Sequence, residues 1–114
     1  MTAASPPSTA VIRVSRGDFD PNRFEEVEQM TRDTGTYLIP AIGRLDGLIA
    51  YYAVASVQGS AVHVSVWQTN EHAEQMSQLK EMVVDARRDA DAVGVTFTPI
   101  VHYPIAWTIR PSPG

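Results

Sequence analysis

The chain has 114 residues and no cysteine. That absence excludes disulfides, thiolate metal centres and thiol nucleophiles together. Basic residues are also scarce, with nine Lys and Arg against thirteen Asp and Glu and a formal net charge of −4. Only Arg87 and Arg88 are adjacent, so there is no clustered cationic footprint for nucleic-acid phosphates. No apolar run approaches the length that spans a bilayer. The opening "MTAASPPSTA" carries neither a basic segment nor an apolar one of the secretory kind, and the bland expectation is a cytoplasmic protein. A Gly-rich phosphate loop is missing too, because "GRLDG" (Gly43–Gly47) reads as a helix stop.

What is present suits one globular domain, with 44% hydrophobic residues and a length typical of a single core. Residues 1–9, rich in Ser, Thr, Ala and Pro, read as a flexible N-terminal tail, and residues 111–114 as a C-terminal one. The domain is expected over residues 10–110. "AVIRVSR" (Ala10–Arg16) alternates β-branched residues and predicts a strand. Asp20 can cap a helix that Pro21 opens. Apolar positions from Phe24 to Leu45 then step by three and four. Pro40 predicts a kink or break, and Gly47 the stop.

"LIAYYAVAS" (Leu48–Ser56) predicts a second strand and Ala61–Gln68 a third, joined as a hairpin. A three-residue closure puts Tyr51, Ala53 and Ala55 on the face of His63, Ser65 and Trp67; a two-residue closure swaps these partners. Asn70 caps a second helix whose stripe runs Met76, Leu79, Val83, Ala86, Ala90, Val93. Gly94 ends it, and Ile100–Ile109 predicts a fourth strand, bulged or at an edge because of Pro104. The order βαββαβ is the split βαβ, ferredoxin-like unit. It is an α+β fold with a four-stranded antiparallel sheet and two helices on one face. The other face is left bare, and a second copy is the simplest cover for it, closing a homodimer sheet to sheet. On this reading Trp67 and Tyr51 lie on the bare, barrel-facing side.

Two stretches, "AIGRLDGLIAYYAV" (Ala41–Val54) and "VSVWQTNEHAEQM" (Val64–Met76), resemble the dimeric α/β barrel superfamily. The similarity is strongest to its antibiotic-biosynthesis-monooxygenase-like branch, and with the element order it covers residues 10 to 109. The resemblance implies a dimeric barrel. It implies one of three things about activity: a cofactor-independent oxygenase acting on polycyclic phenols, a haem-degrading enzyme, or a member without known activity. The haem-degrading pattern is incomplete. Trp67 matches its strand-three Trp, but strand one reads Val11-Ile12-Arg13-Val14-Ser15 with no Asn. The helix histidine, His72, sits in the first turn rather than farther along.

The candidate site follows from residue chemistry. His63 or His102 has an imidazole suited to taking a proton from a phenol or carbon acid; each could equally be a surface or rim histidine. Arg13 could clamp an enolate or pair with an acid of the second subunit. Trp67 and Tyr51 could position a flat substrate, or Trp67 could pack at the dimer seam. Ser65 reads as small and space-giving, since no Ser-His-Asp constellation is legible. His63, His72 and His102 sit on separate elements without ligand spacing, so no metal site is expected, and no cofactor either. "DARRDAD" reads as a solvated helix face. The expected function is a cofactor-independent, monooxygenase-like enzyme for a small aromatic or polyketide-like molecule. The alternative is a non-catalytic dimeric module, ligand-binding or stress-associated. The sequence names no substrate and does not choose between the histidines.

Overall fold

β1 (Val11–Asp18) begins the architecture in a computed structural model that describes residues 7–109 and 111. Most of the two expected tails, residues 1–6 and 112–114, lies outside the described residues, as does residue 110. Residues 7–9 form a turn that delivers the chain into β1. Ala10 N donates to Pro7 O at 2.9 Å, and Thr9 Oγ1 donates to Gln68 O at 2.7 Å. The strand runs two residues past Arg16 through Gly17, where a Cβ would collide with the Val95 side chain. Glycine here allows the close approach of the segment that follows the last helix.

Asp20 caps as expected, its side chain accepting from Asn22 N at 2.9 Å. The first turn, Pro21–Arg23, is 3₁₀ and leads into α1 (Phe24–Ile42). The apolar stripe buries Val27, Thr34, Leu38 and Ile42. Contrary to the expectation of a break, the helix passes through Pro40. Only one amide is lost there, and Gly43 N still reaches Ile39 O at 2.9 Å. The helix ends at Ile42 rather than Gly47. A turn follows, closing on Gly47 at φ +76, a conformation that suits glycine.

β2 (Leu48–Ser56) and β3 (Ser60–Trp67) pair through a three-residue loop, with Ser56 opposite Ser60. The second helical region is not continuous. Thr69, not Asn70, is its cap, with Oγ1 accepting from His72 N at 3.1 Å. α2 (Asn70–Glu74) gives way to a 3₁₀ turn, Gln75–Gln78, before α3 (Lys80–Ala92). The stripe persists across the break, since Met76 and Ala90 are both buried. The last strand comes in two pieces, β4 (Thr96–Phe97) and β5 (Val101–Pro104), both antiparallel to β1. Pro99 has no amide to donate to β1, and the strand parts beside it. Thr98 bridges the gap with N and Oγ1 both donating to Arg16 O, at 2.8 and 3.1 Å.

The sheet order is β2-β3-β1, with β4 and β5 both on the outer edge of β1. This is the ferredoxin-like antiparallel arrangement. The packing reverses one expectation. Val11 and Trp67 pack with Leu38 and Ile42 of α1 and with Ala73 and Met76, so their face lies beneath the helices. Tyr51, Ser65, His63 and Arg13 are on that face by register. The uncovered face is the valine one: Val62, Val64 and Val66 with Ile12, Val14 and Tyr52. Tyr52 is 59% exposed, Val54 53% and Tyr103 52%. The physical reason is shape. The face with Trp67 at one end and Ala53, Ala55 and Ala61 at the other alternates large and small, which receives helices crossing at different heights. The valines make a level β-branched layer that none of the described helices covers. Among the described residues no helix is long and apolar enough to cross a membrane.

Candidate functional site

Register builds the site. Tyr51 on β2, Ser65 on β3, Arg13 on β1 and His102 on β5 stand in one row across the sheet. The neighbouring row holds Ala53, His63 and Ser15. Side chains alternate along a strand, so both rows face the helices. Tyr51 OH lies 2.8 Å from His63 Nδ1, and the rings meet edge-on with centroids 5.7 Å apart at 81°. Ala53, opposite His63, is too small to fill the space beside the imidazole.

Arg13 sets the electrostatics. Only 8% of it is exposed, and among the described residues it makes no ion pair and no side-chain hydrogen bond. Burial pulls its pKa down; Tyr51 works against that, and the nearby Arg87 adds to it. His63 is held below the usual imidazole range, first by burial and then by the charge of Arg13. Both causes favour the neutral imidazole. Burial pushes the Tyr51 phenol up while Arg13 draws it back. His102 is lowered by burial and Arg13, with Glu74 opposing.

Two cavities meet at this pair. An outer groove of about 650 Å³ runs between α1 and β2, lined by Thr31, Gly35, Ile39, Ala53 and Val54 among others. An inner cavity of about 70 Å³ lies between the sheet and α3, with Arg13, Ser15, Val83, Arg87 and Phe97 in its walls. Thr34, Leu38, Ile42, Tyr51 and His63 belong to both. The Tyr51–His63 pair thus stands where the groove meets the chamber. The groove has the size of a small-molecule site, apolar with few polar groups.

Of the residues singled out in the sequence, Arg13, Tyr51 and His63 are brought together. Trp67 is not with them: it is 0% exposed, lines neither cavity, and its Nε1 donates to Ser65 Oγ at 2.8 Å. Ser65 is fully buried beneath it. His102 shares the row of Arg13 but sits on the far side of β1, where its Nδ1 is 2.7 Å from Asn70 Oδ1. Both orientation readings of Arg13, clamp and intersubunit pair, assumed the open face; it lies instead under the chain's own helices. The His72 ring occupies the space a Cβ on Gly47 would need, and its Nδ1 lies 2.9 Å from Thr69 Oγ1. Among the described residues no three His, Asp or Glu side chains gather as metal ligands.

Two wall residues escaped the sequence reading. Thr34 was legible only as an apolar step. Arg87 was absorbed into a charged helix face, although it lies four residues after Val83 and three before Ala90, where it is exposed and still forms part of the inner cavity's wall.

An α+β domain with a helix–sheet cavity inside one chain is the class this geometry defines. No protein-family model matches the chain, and no curated protein matches it. Solved structures do. A monooxygenase of Streptomyces coelicolor, in complex with nanaomycin D, aligns at TM-score 0.69 and 14% identity, over 92% of this chain and 95% of its own. A dimeric ferredoxin-like protein from an uncultured marine organism aligns at 0.64 and 15%, over 91% and 94%. SnoaB, a cofactor-independent oxygenase of Streptomyces nogalater, aligns at 0.58 and 16%, over 89% and 97%. The chain shares the ferredoxin-like fold of these structures. At these identities the likeness is one of fold.

Proposed function

We propose that this chain is a cofactor-independent oxygenase acting on a small aromatic or polyketide-like phenol. The observation that carries the reading is the buried Tyr51–His63 pair beside Arg13, at the junction of groove and chamber. A flat substrate lies in the groove with its acidic C–H or O–H at His63. The neutral imidazole takes the proton through Nε2, and Arg13 offsets the charge of the resulting enolate. The electron-rich carbanion adds molecular oxygen. Protonation of the peroxide and loss of water convert a ring CH₂ to C=O, so one O₂ is consumed and one water released per turnover.

This chemistry requires one tautomer. Nδ1–H must donate to the Tyr51 oxygen, leaving Nε2 free to accept. If Tyr51 donates to Nδ1 instead, Nε2 carries the proton and the ring is no base. That alternative hydrogen-bond direction favours a second reading, ligand binding without turnover. ¹⁵N NMR of His63 separates the two. Oxygen uptake with a panel of anthrone-like phenols tests the function directly. Uptake that depends on His63 supports it, and no uptake across the panel by folded protein removes it.

The same proposal includes a cytoplasmic homodimer. The valine face, with Tyr52, Val54, Val101 and Tyr103 exposed, is the surface a second copy would cover. Light scattering of a Tyr52→Glu variant is expected to show loss of the dimer. A wild-type chain that scatters as a monomer refutes the pairing but leaves the cavity intact, because both of its walls belong to one chain.

A further inference from the structure

Outside the Tyr51–His63 pair, the inner cavity has an unexplained feature in its charge. Two arginines line it, Arg13 from β1 and Arg87 from α3, and among the described residues no acid is in its walls. Acids do flank Arg87 in the sequence, but they are engaged elsewhere. Asp85 pairs with Arg88 at 3.7 Å, and Asp89 accepts from Tyr37 OH at 3.1 Å. Arg87 is an exposed residue whose guanidinium lies over the Phe97 ring, 5.2 Å from its centroid, at the solvent-side rim of the cavity. Arg13 is more than nine-tenths buried and has no described partner.

Two like charges kept at one small chamber oppose each other and, at Arg13, are held away from water. A transient enolate supplies at most one compensating charge, and only during reaction. A ligand that enters with a permanent anion relieves the repulsion in the bound ground state. We infer that the inner cavity is a subsite for a carboxylate on the substrate, with Arg87 as the residue that selects acids over their neutral counterparts. The planar guanidinium fork matches a carboxylate in geometry as well as charge. The substrate class narrows accordingly, to an aromatic acid whose rings lie in the groove and whose carboxylate reaches past His63. This deepens the proposed oxygenase reading and rests on it for the word substrate.

Calorimetric titration with naphthoate and with methyl naphthoate tests the subsite without any turnover. The acid is expected to bind at least about tenfold more tightly than the ester. Arg87→Met, which keeps an unbranched stem and removes the guanidinium, is expected to bring the two within about twofold; Arg87→Lys is expected to retain part of the preference. Arg88→Met removes the neighbouring charge that does not line the cavity and is expected to keep the full preference. Ester binding equal to acid binding in the wild type overturns the inference. So does a preference that survives in Arg87→Met, or no binding by either compound. The two ideas fail separately. Absent oxygen uptake with an intact acid preference removes the oxygenase and leaves an anion-binding cavity. Uptake without the preference removes the subsite alone.

Discussion

Replacing Arg13 with Met should make this protein more stable and less able to act. The substitution keeps an unbranched side chain of similar reach and removes the guanidinium. In the fold that group is 8% exposed and has no counter-charge among the described residues. A charge withdrawn from water without a partner is a cost carried for function, and exchanging buried ionic groups for apolar ones commonly gains about 1–4 kcal/mol. For a chain of 114 residues, an unfolding entropy of about 2.1 cal/mol/K per residue converts each kcal/mol into about 4 °C. The expected rise in Tm is therefore about 4–16 °C. His63 should respond in the same variant. Losing the Arg13 charge lifts its pKa, while burial, the larger cause, keeps it below the usual value. Calorimetric melts near pH 8 and an NMR titration of His63 give both readouts. A Tm that falls by several degrees would refute the reasoning, because it would mean that Arg13 holds the fold through a contact. An unchanged His63 titration would refute the electrostatic coupling.

Trp67→Ala is expected to cost about 3–5 kcal/mol, since the indole is fully buried in the cluster of Val11, Leu38 and Met76; a chemical-denaturation series that shows less than half of this would contradict its core role. Gly47→Ala should destabilise by at least about 1–2 kcal/mol, because Gly47 is at φ +76 and a Cβ there would strike the His72 ring; an unaltered urea midpoint argues against the strain. The depressed pKa values of His63 and His102 mean that the fold favours neutral imidazoles. Their stability contribution is present above the ordinary pKa of about 6.5 and is lost as pH falls through the folded-state values. Urea midpoints should fall on acidification through that window, less steeply in His63→Asn, and a midpoint that rises would reverse the sign.

The periodic elements were legible because local spacing decides them. The hairpin partners of Tyr51 and Ala53 followed from the three-residue closure alone, and the stripe from Val27 to Ile42 from helical steps. The choice of sheet face was not legible. Alternating valines mark an apolar face, but whether the chain's own helices or another molecule covers it depends on how large and small side chains fit crossing helices. That is a property of the assembled layers. The site inherits the same difficulty. His63, Tyr51 and Arg13 were recognisable as reactive types, yet their meeting depends on three strands in register. Arg87 is charged and exposed, and nothing local to it marks a place in a cavity wall. The fragmentation of the second helix and the last strand came from single breaks, at Gln75–Gln78 and beside Pro99.

The loop of Val57, Gln58 and Gly59 lies far from any reactive group, yet its length governs which groups react. Gly59 N closes it on Ser56 O at 3.0 Å, and Gly59 O in turn receives Phe19 N at 2.9 Å. Because residues on a strand point alternately up and down, a hairpin that lost one residue and closed again with three in the loop would oppose Tyr51 and Ala53 to the valine set of β3. The imidazole would then lose its phenolic neighbour although neither residue had changed. Natural drift in this loop should accordingly be free in composition, apart from the glycine, and free in length only where Ser56 stays opposite Ser60.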